Sequence, residues 1–148
     1  MTLDILEQPQ AESAESDKRQ IILIVDDDEV LADTLSRRLV RQGYGTLTAD
    51  CGQEGLRQAR THRPALVVLD VRLPDMDGLT ICHQLADEPE TCSIPVIILS
   101  GMARPDIIRR SRAAGCYYFV RKPYDPNALL VLIRQAIKEA AGWARLEE

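Results

Sequence analysis

Five short apolar runs, each followed by a stretch with helical spacing, leave this chain few ways to fold. The first, 21–25 (Ile-Ile-Leu-Ile-Val), is apolar throughout, as a strand covered on both faces must be. Leu31, Leu35 and Leu39 then fall four apart on one helical face, and Gly43 ends that helix. The second strand, 44–49, alternates Thr46, Leu47 and Thr48 and suits a place nearer the sheet edge. A helix over 53–62 stops before Pro64. Strands at 65–69, 95–99 and 117–121 alternate with helices at 78–88 and 105–114, the last opened by Pro105 and stopped by Gly115. The final helix has Asp125 as N-cap and Pro126 in its first turn, then an apolar stripe of Leu129, Ile133, Ala136, Ile137 and Ala140. This rhythm predicts an α/β domain, a mostly parallel sheet with helices on both faces and right-handed crossovers.

At 148 residues the chain has the size of one domain. Residues 1–20 lack apolar periodicity and read as a flexible acidic extension, 21–141 as the folded domain, and 142–148 as a short tail. Five acids (Asp4, Glu7, Glu12, Glu15, Asp17) and two bases (Lys18, Arg19) put most of the net charge of −5 in that extension. The near-balance of the remainder argues against a surface built to bind nucleic acid. No apolar run approaches the roughly 20 residues a membrane span requires, and the first residues lack the basic start and apolar centre of a secretory signal. The expected compartment is the cytoplasm. Cys51, Cys82, Cys92 and Cys116 form no C-x-x-C pair and read as reduced thiols.

The residues that close the strands carry the chemistry. In an open parallel sheet, ligands bind outside the carboxyl ends of the strands, where the winding reverses. Strand one ends in Asp26-Asp27-Asp28, strand three in Asp70, strand four in Ser100-Gly101, and strand five runs into Lys122-Pro123. Taken singly, each is an ordinary loop residue. Jointly, they deliver carboxylates, a hydroxyl and an ammonium to one sheet edge. Clustered carboxylates about 5 Å apart repel by roughly 3 kcal/mol per pair at an effective dielectric near 20. Such a cluster invites a cation, and hard oxygen donors select Mg²⁺ or Mn²⁺.

These segments resemble the receiver domain of bacterial two-component response regulators. The motifs are Ile-Leu-Ile-Val-Asp-Asp-Asp at 22–28, Leu-Asp-Val-Arg-Leu-Pro-Asp-Met-Asp-Gly at 69–78, Ile-Leu-Ser-Gly at 98–101 and Phe-Val-Arg-Lys-Pro at 119–123, so the resemblance spans about 20–140. It implies a flavodoxin-like (βα)5 doubly wound sheet with strand order 2-1-3-4-5. It implies that Asp70 accepts a phosphoryl group from a histidine kinase or a histidine phosphotransfer protein. A Mg²⁺ or Mn²⁺ ion would be held directly by Asp27, Asp70 and the Arg72 backbone carbonyl, and by Asp26 partly through water. Lys122 and Ser100 would contact the phosphoryl oxygens. Phe119 occupies the family's aromatic switch position, where it lacks the hydroxyl of a tyrosine. The Arg72 side chain and Met102 stand where they could tune phosphate lifetime. The surface around helix 4, strand 5 and helix 5 would then switch, toward an unidentified downstream protein or a second copy of the chain.

Three rival readings fit less well. Asp75-Met76-Asp77-Gly78-Leu79-Thr80 superficially resembles the signature of haloacid-dehalogenase-type phosphatases, but Asp70, not Asp75, closes the strand. A receiver used purely as a binding module usually lacks an acidic or lysine position, and none is missing here. A calcium loop around Asp75 fails on spacing. Arg104, Arg109, Arg110 and Arg112 gather on or near helix 4, as a docking face or as a solvated one. Trp143 reads as a staple for the last helix or as an interface residue.

Overall fold

The structure, a computed structural model, describes residues 19–102 and 104–147. All but Arg19 and Gln20 of the expected N-terminal extension, and the side chain of Trp143, lie outside the described residues. Five strands, β1 (Ile21–Val25), β2 (Gly45–Ala49), β3 (Leu66–Asp70), β4 (Val96–Ser100) and β5 (Tyr118–Arg121), form one parallel sheet in the order β2-β1-β3-β4-β5. Between and after them run α1 (Glu29–Arg41), α2 (Gly52–His62), α3 (Gly78–Asp87), α4 (Pro105–Ala113) and α5 (Pro126–Glu147). The winding reverses between β1 and β3, so their carboxyl ends open onto a crevice.

Alternation along each strand sorts the core into two layers. Leu23, Val25, Val67, Leu69, Val96 and Ile98 face α2, α3 and α4, where they meet Leu56, Ala59, Leu79, Cys82 and Leu85. Ile22, Ile24, Leu66, Val68, Ile97 and Leu99 face the other way, onto Ala32, Leu35 and Leu39 of α1 and Leu129, Ile133 and Ala136 of α5. Every residue of β3 and β4 is buried, which is why these strands are almost wholly apolar until their last positions. Burying each of these Leu, Ile or Val side chains contributes roughly 1.5–3 kcal/mol.

Aspartates start three helices. Asp28 accepts from Leu31 N at 3.1 Å and caps α1, Asp77 accepts from Leu79 N at 2.8 Å and caps α3, and Asp125 accepts from Asn127 N at 3.0 Å before α5. Most element boundaries differ from the sequence reading by one residue. β3 and β4 take in Asp70 and Ser100, the residues expected to close them. The helix α5 runs to Glu147, through the segment expected as a tail except Glu148, which lies outside the described residues. Gly142 costs a helix roughly 1 kcal/mol and does not break it, and a Cβ there would meet nothing within 4 Å. Among the described residues, no helix is long and apolar enough to cross a membrane.

Candidate functional site

The pleat decides which strand-end residues meet. Asp26, Asp70 and Lys122 continue the alternation of Ile24, Val68 and Val120, all on the α1/α5 side of the sheet. Ser100 follows Ile98, and Phe119 packs with the same layer, on the α2–α4 side. The side chains respect that division. Lys122 Nζ lies 2.9 Å from Asp26 Oδ2 and 3.1 Å from Asp70 Oδ2, a bridge across residues from three strand ends. Ser100 Oγ instead closes on Met102, donating to its carbonyl at 3.1 Å and accepting from its N–H at 2.9 Å.

The carboxylates are buried unequally. Asp26 is 2% and Asp70 7% exposed, whereas Asp27 faces solvent. The free oxygens of Asp26 and Asp70 are also engaged: Asp28 N donates to Asp26 Oδ1 at 3.0 Å, and Arg72 N to Asp70 Oδ1 at 3.2 Å. Burial pushes the Asp70 carboxyl above its ordinary value. Lys122 pulls it back by hydrogen bond and charge, the Asp26 charge raises it again, and the outcome is upward. Burial would lower the Lys122 ammonium, but its bonds to Asp26 and Asp70 outweigh that and hold it above the usual lysine value. Nearby, burial raises the Tyr124 hydroxyl, with the Asp26 charge adding to it.

Asp26, Asp27 and Asp70 each present an oxygen within 4.8 Å of the others. The donor set fits a hard divalent cation: it is all carboxylate oxygen, it is partly open through Asp27, and the Lys122 ammonium already acts as cation to two of its members. The loop from 71 to 77 keeps the Arg72 backbone beside it, closed by an antiparallel bridge between Arg72 and Asp77 and by Gly78 N donating to Val71 O at 2.7 Å. A Cβ at Gly78 would lie 2.2 Å from the Asp70 carbonyl oxygen, so only glycine allows α3 to start this close to the strand end.

Other residues singled out in the sequence are placed as follows. Arg110 lies 3.8 Å from Asp77 Oδ2, and Arg104 3.8 Å from its neighbour Asp106, while Arg109 and Arg112 are exposed on α4. Asp75 and Asp77, the acids of the phosphatase-like motif, bond to the first turns of α2 and α3, and Asp70 alone of the three enters the carboxylate cluster. The role of Asp75 was not legible beforehand; the one available sign was Cys51, a weak N-cap, standing before α2.

An open parallel sheet with buried carboxylates, a bridging lysine and a cation-compatible cluster at its switch point makes this an α/β domain of flavodoxin type with its polar groups where such sheets take ligands. Comparison with known proteins is more specific. Residues 22–134 match the family described as the response regulator receiver domain, and the chain belongs to that family. It is similar to the transcriptional regulatory protein CseB of Streptomyces coelicolor, at 33% identity over 85% of this chain and 54% of that protein. It is also similar to the alkaline phosphatase synthesis transcriptional regulatory protein PhoP of Bacillus subtilis, at 31% identity over 80% of this chain and 49% of that one. The chain thus spans about half the length of these curated relatives. Among solved structures, a CheY-like response regulator receiver domain from Methanospirillum hungatei superposes with a TM-score of 0.80 at 28% identity, covering 84% of this chain and 98% of that one. Receiver domains work by phosphorylation, partner with histidine kinases and bind a divalent metal in an acidic pocket.

Proposed function

We propose that Asp70 is the phosphoacceptor of this receiver and that the other strand-end residues serve it. The observation that carries this reading is the Lys122 ammonium bridging Asp26 and Asp70 beside the exposed Asp27. An oxygen of the Asp70 carboxylate forms a bond to phosphorus as the N–P bond of a phosphohistidine breaks. The electron pair stays on the imidazole nitrogen, which takes up a proton. The histidine belongs to a histidine kinase or a histidine phosphotransfer protein. Asp26, Asp27, Asp70 and the Arg72 carbonyl would hold Mg²⁺ or Mn²⁺, which supplies charge neutralisation for the incoming phosphoryl group.

The product, an acyl phosphate, carries about −1.5 to −2 charges at the strand end where the free carboxylate carried one. Lys122 then exchanges its bond to Asp70 for a phosphoryl oxygen, and Ser100 gives up the Met102 carbonyl to donate to another. Those exchanged contacts favour one arrangement of the β4–α4 loop over another, and without them phosphorylation would shift nothing. Phe119, packed in the same layer as Met102, passes the change to the surface of α4, β5 and α5. That surface addresses a downstream protein, or a second copy of the chain, rather than nucleic acid. Slow hydrolysis of the acyl phosphate resets the switch, and no other turnover is assigned to the chain. Four free thiols suit a reducing cytoplasm.

Incubation with Mg²⁺ and phosphoramidate, followed by intact mass, tests the reading. The expected result is one phosphate on the wild type, dependent on Mg²⁺ and labile to base, and none on Asp70→Asn. Equal labelling of the two proteins would overturn it.

A further inference from the structure

The loop between β3 and α3, which carries Arg72, is held at its base by hydrogen bonds within its own βα unit and to β4: Gly78 N to Val71 O at 2.7 Å and Val71 N to Leu99 O at 3.3 Å. Its tip is held differently. Both oxygens of Asp75 accept from the first turn of α2, Oδ1 from Gly52 N at 2.7 Å and Oδ2 from Gln53 N at 2.9 Å. Met76 lies against the same turn, and a Cβ on Gly52 would come within 2.3 Å of Met76 Cγ. Cys51 has the extended backbone of an N-cap residue but makes no side-chain cap bond. So α2 takes its cap from another loop, and that loop is the one beside the carboxylate cluster. Hydrogen bonds from Gln53 and Gly52 hold the Asp75 carboxyl below its ordinary range.

We propose that Asp75 is a positioning residue for the site. By tying the loop tip to α2, it holds in place the Arg72 carbonyl assigned to the cation and the Arg72 N–H that orients Asp70 Oδ1. The assignment rests on the reading of Asp70 given above. Among the described residues, the two bonds to α2 are the hydrogen bonds that join residues 73–76 to the rest of the fold. With them the loop is pinned at base and tip; without them residues 73–76 are held by the packing of Leu73 and Met76. A metal ligand carried on a loop loses affinity when the groups that orient it are removed, by roughly 10–100-fold.

The test separates a tether from a mere helix cap. Mn²⁺ affinity, read by the EPR signal of the free ion, and the initial rate of labelling by phosphoramidate are compared for four proteins. Asp75→Ala is expected to bind Mn²⁺ on the order of tenfold more weakly, at the low end of that range, and to label correspondingly slowly. Asp75→Asn keeps one acceptor oxygen and falls between Asp75→Ala and the wild type. Cys51→Ser combined with Asp75→Ala gives α2 a local cap without the tether, so thermal stability should return while Mn²⁺ affinity stays low. Wild-type Mn²⁺ affinity in Asp75→Ala, or its recovery in the double variant, would overturn the proposal. A wild type that binds Mn²⁺ yet takes no phosphate refutes the reading of Asp70 instead, and the tether is then decided by the Mn²⁺ affinities alone.

Discussion

Lys122→Met removes the charge that holds the cluster together and keeps most of the side-chain length. The ammonium lies 2.9 Å from Asp26 and 3.1 Å from Asp70, with the lysine side chain 19% exposed. Once it is gone, two nearly buried carboxylates face each other with oxygens within 4.8 Å. Their repulsion at that distance is on the order of 3 kcal/mol at an effective dielectric near 20. Breaking a buried pair by deleting one partner typically costs about 3–5 kcal/mol. Proton uptake caps the loss, because Asp70 is already pushed upward by burial and loses the lysine that pulled it down. A net destabilisation of about 2–3 kcal/mol follows in EDTA. For a chain of this length that is a drop in Tm of roughly 6–12 °C. A divalent cation can stand in for the ammonium, and at a hundred times its Kd it restores about 2.7 kcal/mol. The assay is a thermal melt followed by circular dichroism, with EDTA and with saturating Mg²⁺. Mg²⁺ should raise the Tm of the variant more than that of the wild type. Equal melting temperatures in EDTA would refute the claim that Lys122 neutralises the cluster.

Gly78→Ala would place a methyl group 2.2 Å from the Asp70 carbonyl and 2.8 Å from Val71 Cα, both backbone atoms that cannot swing aside. Overpacking of this kind costs about 1–3 kcal/mol, and a melt should show it together with loss of phosphoramidate labelling. Burial pushes the Cys82 thiol up to about 12, and its Sγ bonds to Ala114 O at 3.3 Å, while Cys92 is exposed. In native protein at pH 8, Cys92 should react with a disulfide reagent at once and Cys82 only as the fold opens; prompt reaction of all four thiols would contradict this. The Asp75 carboxyl is depressed in the folded state, so its stabilisation is present above its ordinary value of 3.8 and is lost as pH falls through the lower folded value. Wild type should therefore melt above Asp75→Asn at neutral pH, and the gap should close below pH 3.8.

The fold was legible because each apolar run stops where its strand stops. Ile21–Val25 and Leu66–Asp70 announce buried parallel strands, and the residues at their ends announce the sheet edge. Counting by twos would have gone further. It puts Asp26, Asp70 and Lys122 on one face and Ser100 and Phe119 on the other, which is the division the side chains show. The contact between Asp75 and α2 could not be read this way. Its partners lie 22 and 23 residues upstream in a different βα unit, and local capping rules assign an aspartate before a helix to that helix. The residues expected as a C-terminal tail continue the last helix as far as Glu147, since a glycine ends a helix only where its backbone leaves the helical region, and Gly142 stays helical.

In the aspartate-rich segment from 70 to 77, burial decides what each acid does. Asp70, Asp75 and Asp77 lie within eight residues and do three different jobs. Asp75 and Asp77 are exposed, accept from backbone N–H groups at helix starts, and keep access to water. Their charge costs the fold little and favours the helix termini. Asp70 is buried, so its charge must be offset by a lysine 52 residues away, and burial still pushes its carboxyl upward. An apolar residue of similar volume in its place, with Lys122 left to Asp26, would relieve that desolvation and remove one oxygen donor from the carboxylate cluster. A buried carboxylate that needs a lysine to offset its charge differs in kind from one that caps a helix at the surface, and that separates Asp70 from its two neighbours.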